Sequence, residues 1–441
     1  MTPASFYRPN GTEIWLERLA PLAAGLLALA PLLVLRAEFG KLFWFGDDWD
    51  LLDQIQRFGF WHWTWQAFAE NFVPLFKTLW GGSAYLFHGG YFWMIAALWL
   101  THAVNTMQLG RVLRTYDFSW PAVLFTQAIF GLTYTNIETL GWSVQWSAVL
   151  ATMFLLFALE CQERGLPPRQ ALSWSKPNML VGLAAASAFC FSRGVLTGAV
   201  LALSSLWPAK RACLPPFPRR CLHAALFLLP ALITTALIMS FAGGNQHHLR
   251  GHGQDITVFG LWYFCLNPLH RLLEFDSWGL RTVWLLSGVK VALIVWGLRC
   301  SQGRQRLLLV LLLAFDLGNS LLLGIGRYHT GLDATISSRY QYSSLLCLLP
   351  FAGLAFAHLL NHVPSRSGLR LLTTTVLLIV IACWAARRWP EEIHGFAFAR
   401  GTETRRILTS EPNPPAMGAV PGIPFLSTAR AKELIQIYHL H

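Results

Sequence analysis

Apolar runs long enough to cross a membrane recur along this chain, and they limit the folds that it can adopt. An α-helix crosses a hydrocarbon core about 30 Å thick with about 20 apolar residues. Of the 441 residues, 54% are hydrophobic and only 13% are charged, and the mean hydropathy is +0.44. A soluble domain carries about 25% charged residues. The sequence therefore predicts an all-α polytopic membrane protein.

The lengths of these runs and their flanking charges predict about eleven transmembrane helices. They cover residues 19–35, 91–113, 119–135, 146–162, 178–192, 195–208, 222–242, 281–298, 306–326, 341–360 and 370–389. We divide the chain into a transmembrane domain, 1–389, and a C-terminal tail or small cap, 390–441. The first apolar run has no small-residue cleavage site and is interpreted as an uncleaved anchor.

Basic residues between alternate spans predict the orientation. They cluster in one set of connections, which the positive-inside rule assigns to the cytoplasm: Arg111, Arg114, Arg164, Arg169, Lys176, Lys210, Arg211, Arg219, Arg220, Arg299, Arg304, Arg306, Arg366 and Arg370. We therefore expect a cytoplasmic N-terminus, an outer C-terminus and outer segments at 36–90, 243–280 and 326–340. The net charge of +12 follows this pattern. No nucleic-acid module is recognisable, so membrane lipid and not nucleic acid is the expected partner.

The first outer loop, 36–90, combines an acidic pair with a run of aromatic residues. Asp47 and Asp48 directly follow the first span, in the sequence FGDDWDLLD. Adjacent carboxylates repel, which can raise one pKa and provide a general base. Two alternatives stay open: the pair binds a divalent cation through its oxygens, or it belongs to an acidic loop that only orients the first helix. The Trp and Phe spacing that follows predicts an amphipathic helix on the membrane surface.

Cationic residues in the outer segments run against the topology signal and call for another explanation. Arg193 lies between two short spans, and Arg327 and Arg339 flank the loop before the tenth span. Lys77 belongs to the first outer loop. Guanidinium groups bind phosphate oxygens in a bidentate manner. These four residues are candidates for phosphate contact, with snorkelling or interfacial anchoring as the alternative.

Other polar and aromatic residues of the outer loops are candidate substrate contacts. Glu138 suits sugar hydroxyls and Trp142 suits stacking on a sugar ring, although both also fit an aromatic belt. His329 and Tyr340 lie in the loop with the two arginines and are assigned to substrate binding.

Three further polar features are given structural interpretations or left open. His102 and Asn105 lie one helical turn apart, which favours an interhelical hydrogen bond. Asp316 falls inside a span, where a functional role and a pairing with a buried Arg or with Asn319 are equally consistent. The histidines of the sequence NQHHLRGHGQD lack a metal-ligand spacing.

Several of these motifs, taken in order, resemble the GT-C superfamily of membrane glycosyltransferases. The acidic pair in the first outer loop is followed by Val73-Pro74-Leu75, an aromatic segment, and a helix with His102 and Asn105 as H-x-x-N. A late outer loop carries Ser338-Arg339-Tyr340. The order is similar to that of bacterial members that modify O-antigens or proteins.

The resemblance implies a hexosyl- or pentosyltransferase that uses a polyprenyl-phosphate sugar. Asp47 would be the base toward the acceptor hydroxyl, and Asp48 would position it or share a metal. The implied partners are the lipid-linked donor and a glycan, glycolipid or protein acceptor. The implied location is the bacterial inner membrane, with a periplasmic site. The alternative is a transporter or flippase of lipid-linked sugars.

Overall fold

The computed structural model describes residues 11–68, 71–163, 175–207, 216–241, 253–275, 279–362, 367–397, 401–410, 422–423 and 426–441. Within these ranges the regular elements are helices, and the only strand-like pairing is an isolated antiparallel bridge between Phe68 and Asn71. The predicted all-α polytopic class is confirmed.

The longer helices follow the predicted spans. Their bounds are α1 Gly11–Val34, α6 Tyr91–Thr115, α7 Trp120–Leu132, α9 Trp146–Glu163, α10 Ser175–Ala188, α11 Val195–Leu206, α12 Phe217–Phe241, α15 Leu280–Cys300, α16 Gly303–Arg327, α17 Ser338–His362 and α18 Ser367–Ala397. The remaining helices are α2 Arg36–Phe39, α3 Asp47–Phe58, α4 Phe60–Thr64, α5 Pro74–Leu86, α8 Ile137–Gly141, α13 Gly253–Leu266, α14 Leu269–Leu272, α19 Glu403–Ser410 and α20 Thr428–Tyr438.

Within the described ranges, six helical segments are long and apolar enough to cross a membrane on their own. They are Ser143–Glu163, Phe217–Ser240, Leu280–Cys300, Gly303–Thr330, Ser338–His362 and Leu372–Ala397. Three more are apolar but shorter: Arg18–Val34, Trp120–Leu132 and Ser192–Leu206. The chain is therefore a multi-pass membrane protein, and the number of eleven crossings stays a prediction.

The last long helix continues beyond the point where the sequence placed its end. Pro390 lies inside α18, which runs on to Ala397. A proline removes one backbone donor, but Trp389 anchors this stretch because its indole Nε1 donates to the Leu132 carbonyl at 2.6 Å.

Polar side chains join helices in the centre of the bundle. Tyr342 of α17 receives a hydrogen bond from Asn105 Nδ2 at 2.9 Å and contacts His102 Nδ1 at 3.0 Å. The interhelical hydrogen bonds predicted for His102 and Asn105 are therefore confirmed. Buried amides and imidazoles of this kind fix helix register in a membrane, where water cannot satisfy them.

A buried ion pair joins α15 to α16. Lys290 Nζ lies 2.8 Å from Asp316 Oδ2, and both side chains are almost fully buried. Lys290 also donates to the carbonyls of Phe264 and Asn267. The partner of Asp316 is thus a lysine, and not the arginine or the Asn319 amide that the sequence suggested.

The first outer loop folds into α2 to α5 beneath the C-terminal helix α20. One face of α3 is buried through Leu51, Leu52 and Ile55, as expected for an amphipathic helix. Trp61 on α4 and the adjoining Trp65 are 70% and 59% exposed. Such aromatic side chains favour the headgroup region of a bilayer.

Candidate functional site

A cavity of about 400 Å³ lies where the ends of α3, α11, α16 and α17 meet. Its wall contains six of the residues singled out from the sequence: Asp47, Trp142, Arg193, Arg327, Arg339 and Tyr340. These residues come from four separate segments of the chain. The cavity therefore joins one carboxylate to three guanidinium groups.

Local backbone geometry presents Asp47 at the first position of α3. Gly46, just before it, has φ +57° and ψ −120°, a conformation that favours glycine. A Cβ atom at Gly46 would lie 3.1 Å from the Trp142 ring. The indole Nε1 of Trp142 donates to the Phe45 carbonyl at 3.0 Å. Trp142 thus forms the cavity wall and also packs against the turn that carries Asp47.

Asp48 is buried behind Asp47, and its carboxylate is engaged in hydrogen bonds within the protein. Its carboxylate accepts hydrogen bonds from the hydroxyls of Ser143, at 2.6 Å, and Tyr91, at 3.2 Å, and from the Phe45 amide at 3.2 Å. Burial raises the pKa of Asp48 to about 7, and the neighbouring Asp47 carboxylate adds to the shift. Asp48 therefore ties α3 to the turn before α9, next to the cavity.

The acidic pair offers few ligands to a divalent cation. Both Asp48 oxygens accept protein hydrogen bonds, and a hard cation takes six or more oxygen ligands. Among the described residues, no group of three His, Cys, Asp or Glu side chains is arranged to hold a metal. A divalent cation there would take further ligands from water or a bound phosphate, and a cation at this pair stays a prediction.

Arg193 is the most deeply buried cation of the cavity. It lies in the 3₁₀ turn Ser192–Gly194, and only 5% of it is exposed. One terminal nitrogen donates to Ser343 Oγ, and the guanidinium lies 5.2 Å from the Phe191 ring. Within the described ranges, Nε and Nη2 have no hydrogen-bond partner. A buried guanidinium with two unmet donors favours an anionic ligand in this cavity.

Arg327 and Arg339 lie at the two ends of the loop that joins α16 to α17. The Arg339 amide and the Ser337 hydroxyl both donate to Glu138 Oε2, at 3.1 and 2.8 Å. Glu138 therefore fixes the backbone from which the Arg339 side chain extends. The Arg339 Nε atom is buried without a partner among the described residues.

The far side of the cavity is apolar. It is lined by Ile238 and Met239 of α12 and by Leu322, Leu323 and Ile325 of α16. Other side chains of these helices, among them Leu232 and Leu321, are 63% and 57% exposed on the membrane-spanning surface. The cavity thus has a cationic end and a hydrocarbon end, a combination that suits an amphiphile with an anionic headgroup.

A second, more polar depression of about 640 Å³ adjoins the first and shares Arg339 with it. Its wall includes Glu138, Arg271, Asp333, Glu391 and Glu392. Carboxylates and guanidinium groups bind hydroxyl groups by hydrogen bonds. This depression therefore offers room for a polar molecule beside the cationic cavity.

Two candidates from the sequence lie elsewhere. Lys77 is fully buried under the first outer loop, where Nζ donates to the carbonyls of Trp63 and Gln66 at 2.9 and 3.0 Å. Burial lowers the pKa of the Lys77 ammonium to about 7. His329 is exposed in the turn Tyr328–Thr330 and is absent from the walls of both cavities. Neither residue joins the arginines.

Sequence reasoning singled out Asp316 and Asn319 but missed the polar groups that join them behind the cavity, Tyr263, Ser344 and Lys290. Tyr263 contacts Ser344 Oγ at 2.7 Å and receives a hydrogen bond from Asn319 Nδ2 at 2.9 Å, and Asn319 also lines the cavity. Ser344 donates to Asp316 at 3.0 Å. Lys290, a charge inside an apolar run, was the signal that could have led to this network.

No family model matches this sequence, and no curated protein matches it. Among solved structures it is similar to the archaeal oligosaccharyltransferase AglB from Archaeoglobus fulgidus, determined in complex with an inhibitory peptide and a dolichol-phosphate. The identity is 11% and the TM-score is 0.40. The similarity covers 92% of this chain and 59% of AglB, so the chain spans less than two thirds of that protein. This similarity identifies no family, and the site is interpreted from its own residues.

Proposed function

We propose that this protein is a membrane glycosyltransferase that moves a hexosyl or pentosyl group from a polyprenyl-phosphate donor to an acceptor hydroxyl. The observation that carries the proposal is the buried Arg193 guanidinium: Arg193 lines the same cavity as Asp47, and two of its nitrogens have no hydrogen-bond partner among the described residues.

The cationic end of the cavity suits the donor phosphate. Each charge-assisted hydrogen bond contributes about 1.5–3 kcal/mol. Arg193 and Arg339, both in the cavity wall, have nitrogens without a partner in the part of the chain that the structure describes. Arg327 adds a third positive charge to the wall. The apolar side chains of α12 and α16 extend from this end, where the polyprenyl chain would lie. A free sugar phosphate would leave that surface unused.

In the proposed reaction Asp47 accepts the proton of the acceptor hydroxyl. The acceptor oxygen forms a bond to the anomeric carbon while the bond from that carbon to the phosphate oxygen breaks. The electron pair of the broken bond stays on the polyprenyl phosphate, which Arg193, Arg327 and Arg339 stabilise. Groups held ready for the developing charge lower the barrier more than groups that must reorient. A single displacement of this kind inverts the anomeric centre.

The second depression would hold the acceptor. Arg339 lines both cavities and links them, and Glu138, in the wall of the depression, fixes the Arg339 backbone. Trp142, in the wall of the cationic cavity, offers a ring for sugar stacking. A glycan, a glycolipid and a protein hydroxyl are each compatible with its polar wall. Tyr340 completes the proposed substrate contacts: it lies in the cavity wall, and its hydroxyl has no hydrogen-bond partner among the described residues.

The distribution of basic residues supports an N-terminus in the cytoplasm and a C-terminus on the opposite side of the membrane. The resemblance of the motifs to bacterial GT-C members supports the bacterial inner membrane, with the C-terminus in the periplasm. In this orientation 1–389 is the transmembrane domain and 390–441 is a periplasmic cap. Both cavities would then face the periplasm, where nucleotide sugars are absent and lipid-linked sugars are the available donors.

Sugar transfer by the purified protein in nanodiscs tests the proposal. The assay supplies labelled polyprenyl-phosphate sugars and an acceptor extract to the wild type, Asp47→Asn and Arg339→Ala. Asp50→Asn is the matched control, because Asp50 lies on the same helix and is bound by Gln54. We expect transfer by the wild type and Asp50→Asn, and loss of about 10²-fold or more in Asp47→Asn.

A contrasting outcome would favour the transporter. Saturable binding of the lipid-linked sugar, movement of that sugar between leaflets and no transfer to any acceptor would contradict the transferase.

A further inference from the structure

The C-terminal helix α20 packs directly on α3, the helix that begins with Asp47. Arg430 Nε donates to Asp53 Oδ1 at 2.6 Å, and the Tyr438 hydroxyl donates to the Leu52 carbonyl at 3.3 Å. Asp53 is only 3% exposed. The Ser427 side chain caps α20 by accepting a hydrogen bond from the Arg430 amide at 3.2 Å. This cap holds Arg430 in the first turn of α20, facing α3.

A second contact reaches the turn immediately before Asp47. The carbonyl of Gly422 accepts a hydrogen bond from the Gly46 amide at 2.8 Å. Gly46 has a positive φ, so its amide direction is set by this turn and not by a regular helix. The tail therefore holds both the start of α3 and its middle.

A third contact reaches the partner of Asp48. The His441 amide donates to the Gly89 carbonyl at 3.2 Å, and the Tyr91 amide donates to His441 O at 3.1 Å. A Cβ atom at Gly89 would lie 2.3 Å from the Tyr438 carbonyl, so a side chain has no room there. Tyr91 in turn donates its hydroxyl to Asp48.

From these three contacts we infer that Gly422 and residues 426–441 act as a positioning element for Asp47, with Arg430 as the principal positioning residue. The inference rests on the proposed function, since it gives Asp47 the role of base.

The physical reason lies in the placement of α3. This 12-residue helix lies between spans and packs on α4, on the turn Ser143–Gln145 and on α20. The bilayer does not fix the direction of such a short extramembrane helix. Misplacing a reacting group by about 1 Å can slow a reaction by about 10²-fold. The tail contacts therefore set the position of the carboxylate.

Arg430→Ala tests the inference, with Arg57→Ala as the matched control. Arg57 pairs with the same Asp53 carboxylate at 2.7 Å, but it lies on α3 itself and does not join α3 to the tail. We expect Arg430→Ala to lower kcat by about 10-fold or more with the donor KM unchanged. Arg430→Lys should recover part of the loss, and Arg57→Ala should stay within about 2-fold of the wild type.

Hydrogen exchange provides a readout that does not depend on activity. Peptides covering 42–52 should exchange faster in Arg430→Ala and in a variant shortened after Tyr438, while peptides from α6 and α17 keep their wild-type exchange. A drop in kcat together with faster exchange throughout the protein would mean general destabilisation and would overturn the inference. Unchanged kcat and unchanged exchange of 42–52 in both variants would overturn it as well.

The two proposals fail differently. Absence of sugar transfer by the wild type, with exchange of 42–52 still controlled by Arg430, would refute the proposed function and leave the tail as the support of α3. Transfer by the wild type with no dependence on Arg430 would refute only the positioning role.

Discussion

Arg193→Met should raise the stability of the empty protein while removing its affinity for lipid phosphate. The substitution keeps an apolar stem and removes a charge that is 95% buried, with two nitrogens unpartnered among the described residues. If Arg193 served only to stabilise the fold, Arg193→Met would lower the free energy of unfolding, because the substitution would break contacts without removing an unpaired charge.

The expected magnitudes follow from the contacts of Arg193. Burial of a charge within a membrane protein costs about 2.5–3.5 kcal/mol on insertion scales. The substitution gives up the bond to Ser343, about 1.5 kcal/mol, and the contact with the Phe191 ring, about 0.5–1 kcal/mol. The free energy of unfolding should therefore rise by about 1 kcal/mol. Loss of two charge-assisted bonds to phosphate should weaken binding by about 10²-fold or more.

The assay measures thermal unfolding in detergent, with and without a short-chain isoprenyl phosphate. The matching isoprenol, which has the chain and lacks the phosphate, is the control ligand. We expect Arg193→Met to unfold at a higher temperature, to lose the shift from the phosphate and to keep the response to the alcohol. A lower unfolding temperature together with an affinity for the phosphate within about 3-fold of the wild type would refute this account of Arg193.

Three further predictions follow from single residues. Because burial raises the pKa of Asp48 from 3.8 to about 7, the folded protein retains a proton that the unfolded chain releases; stability from this group should fall as pH rises from about 4 to 7 and then level off. In Asp48→Asn that part of the pH dependence of thermal unfolding should vanish, and an identical profile would contradict it. Gly46→Ala should lose about 1–3 kcal/mol of stability and most transfer activity. Gly59→Ala, also at positive φ but with open space around it, should lose stability alone. Equal transfer activity of the two variants would contradict the role of the turn that carries Asp47. Lys290→Met should lower the free energy of unfolding by about 3–5 kcal/mol, because it leaves the buried Asp316 charge unpaired. Adding Asp316→Leu should restore much of this loss. A double variant no more stable to denaturation than Lys290→Met would refute the pairing.

The membrane class and the positions of the long helices could be predicted because they depend on local hydrophobicity and run length. Local information also placed Asp47, Arg193, Arg327 and Arg339 on the same predicted side of the membrane, since each residue lies in a segment predicted on the outer side. What could not be predicted was which of the outer cations share a cavity. Lys77 follows the acidic loop closely in sequence, yet it packs against Trp63 and two backbone carbonyls.

Long-range contacts account for the other differences. The pairing of Lys290 with Asp316 and the packing of α20 on α3 join residues far apart in the chain, and no local pattern specifies them. The continuation of α18 through Pro390 has the same origin, because an indole hydrogen bond to another helix holds that stretch in place. Tertiary contacts of this kind override the helix-breaking tendency that the sequence displays.

The most direct test of the central claim is a structure of the protein in nanodiscs with a bound polyprenyl phosphate. The account predicts the phosphate within hydrogen-bond distance of Arg193 Nε and Nη2, with the chain along α12 and α16 and the Asp47 carboxylate facing the phosphate across the cavity. A phosphate bound outside this cavity, with Arg193 unliganded, would contradict it.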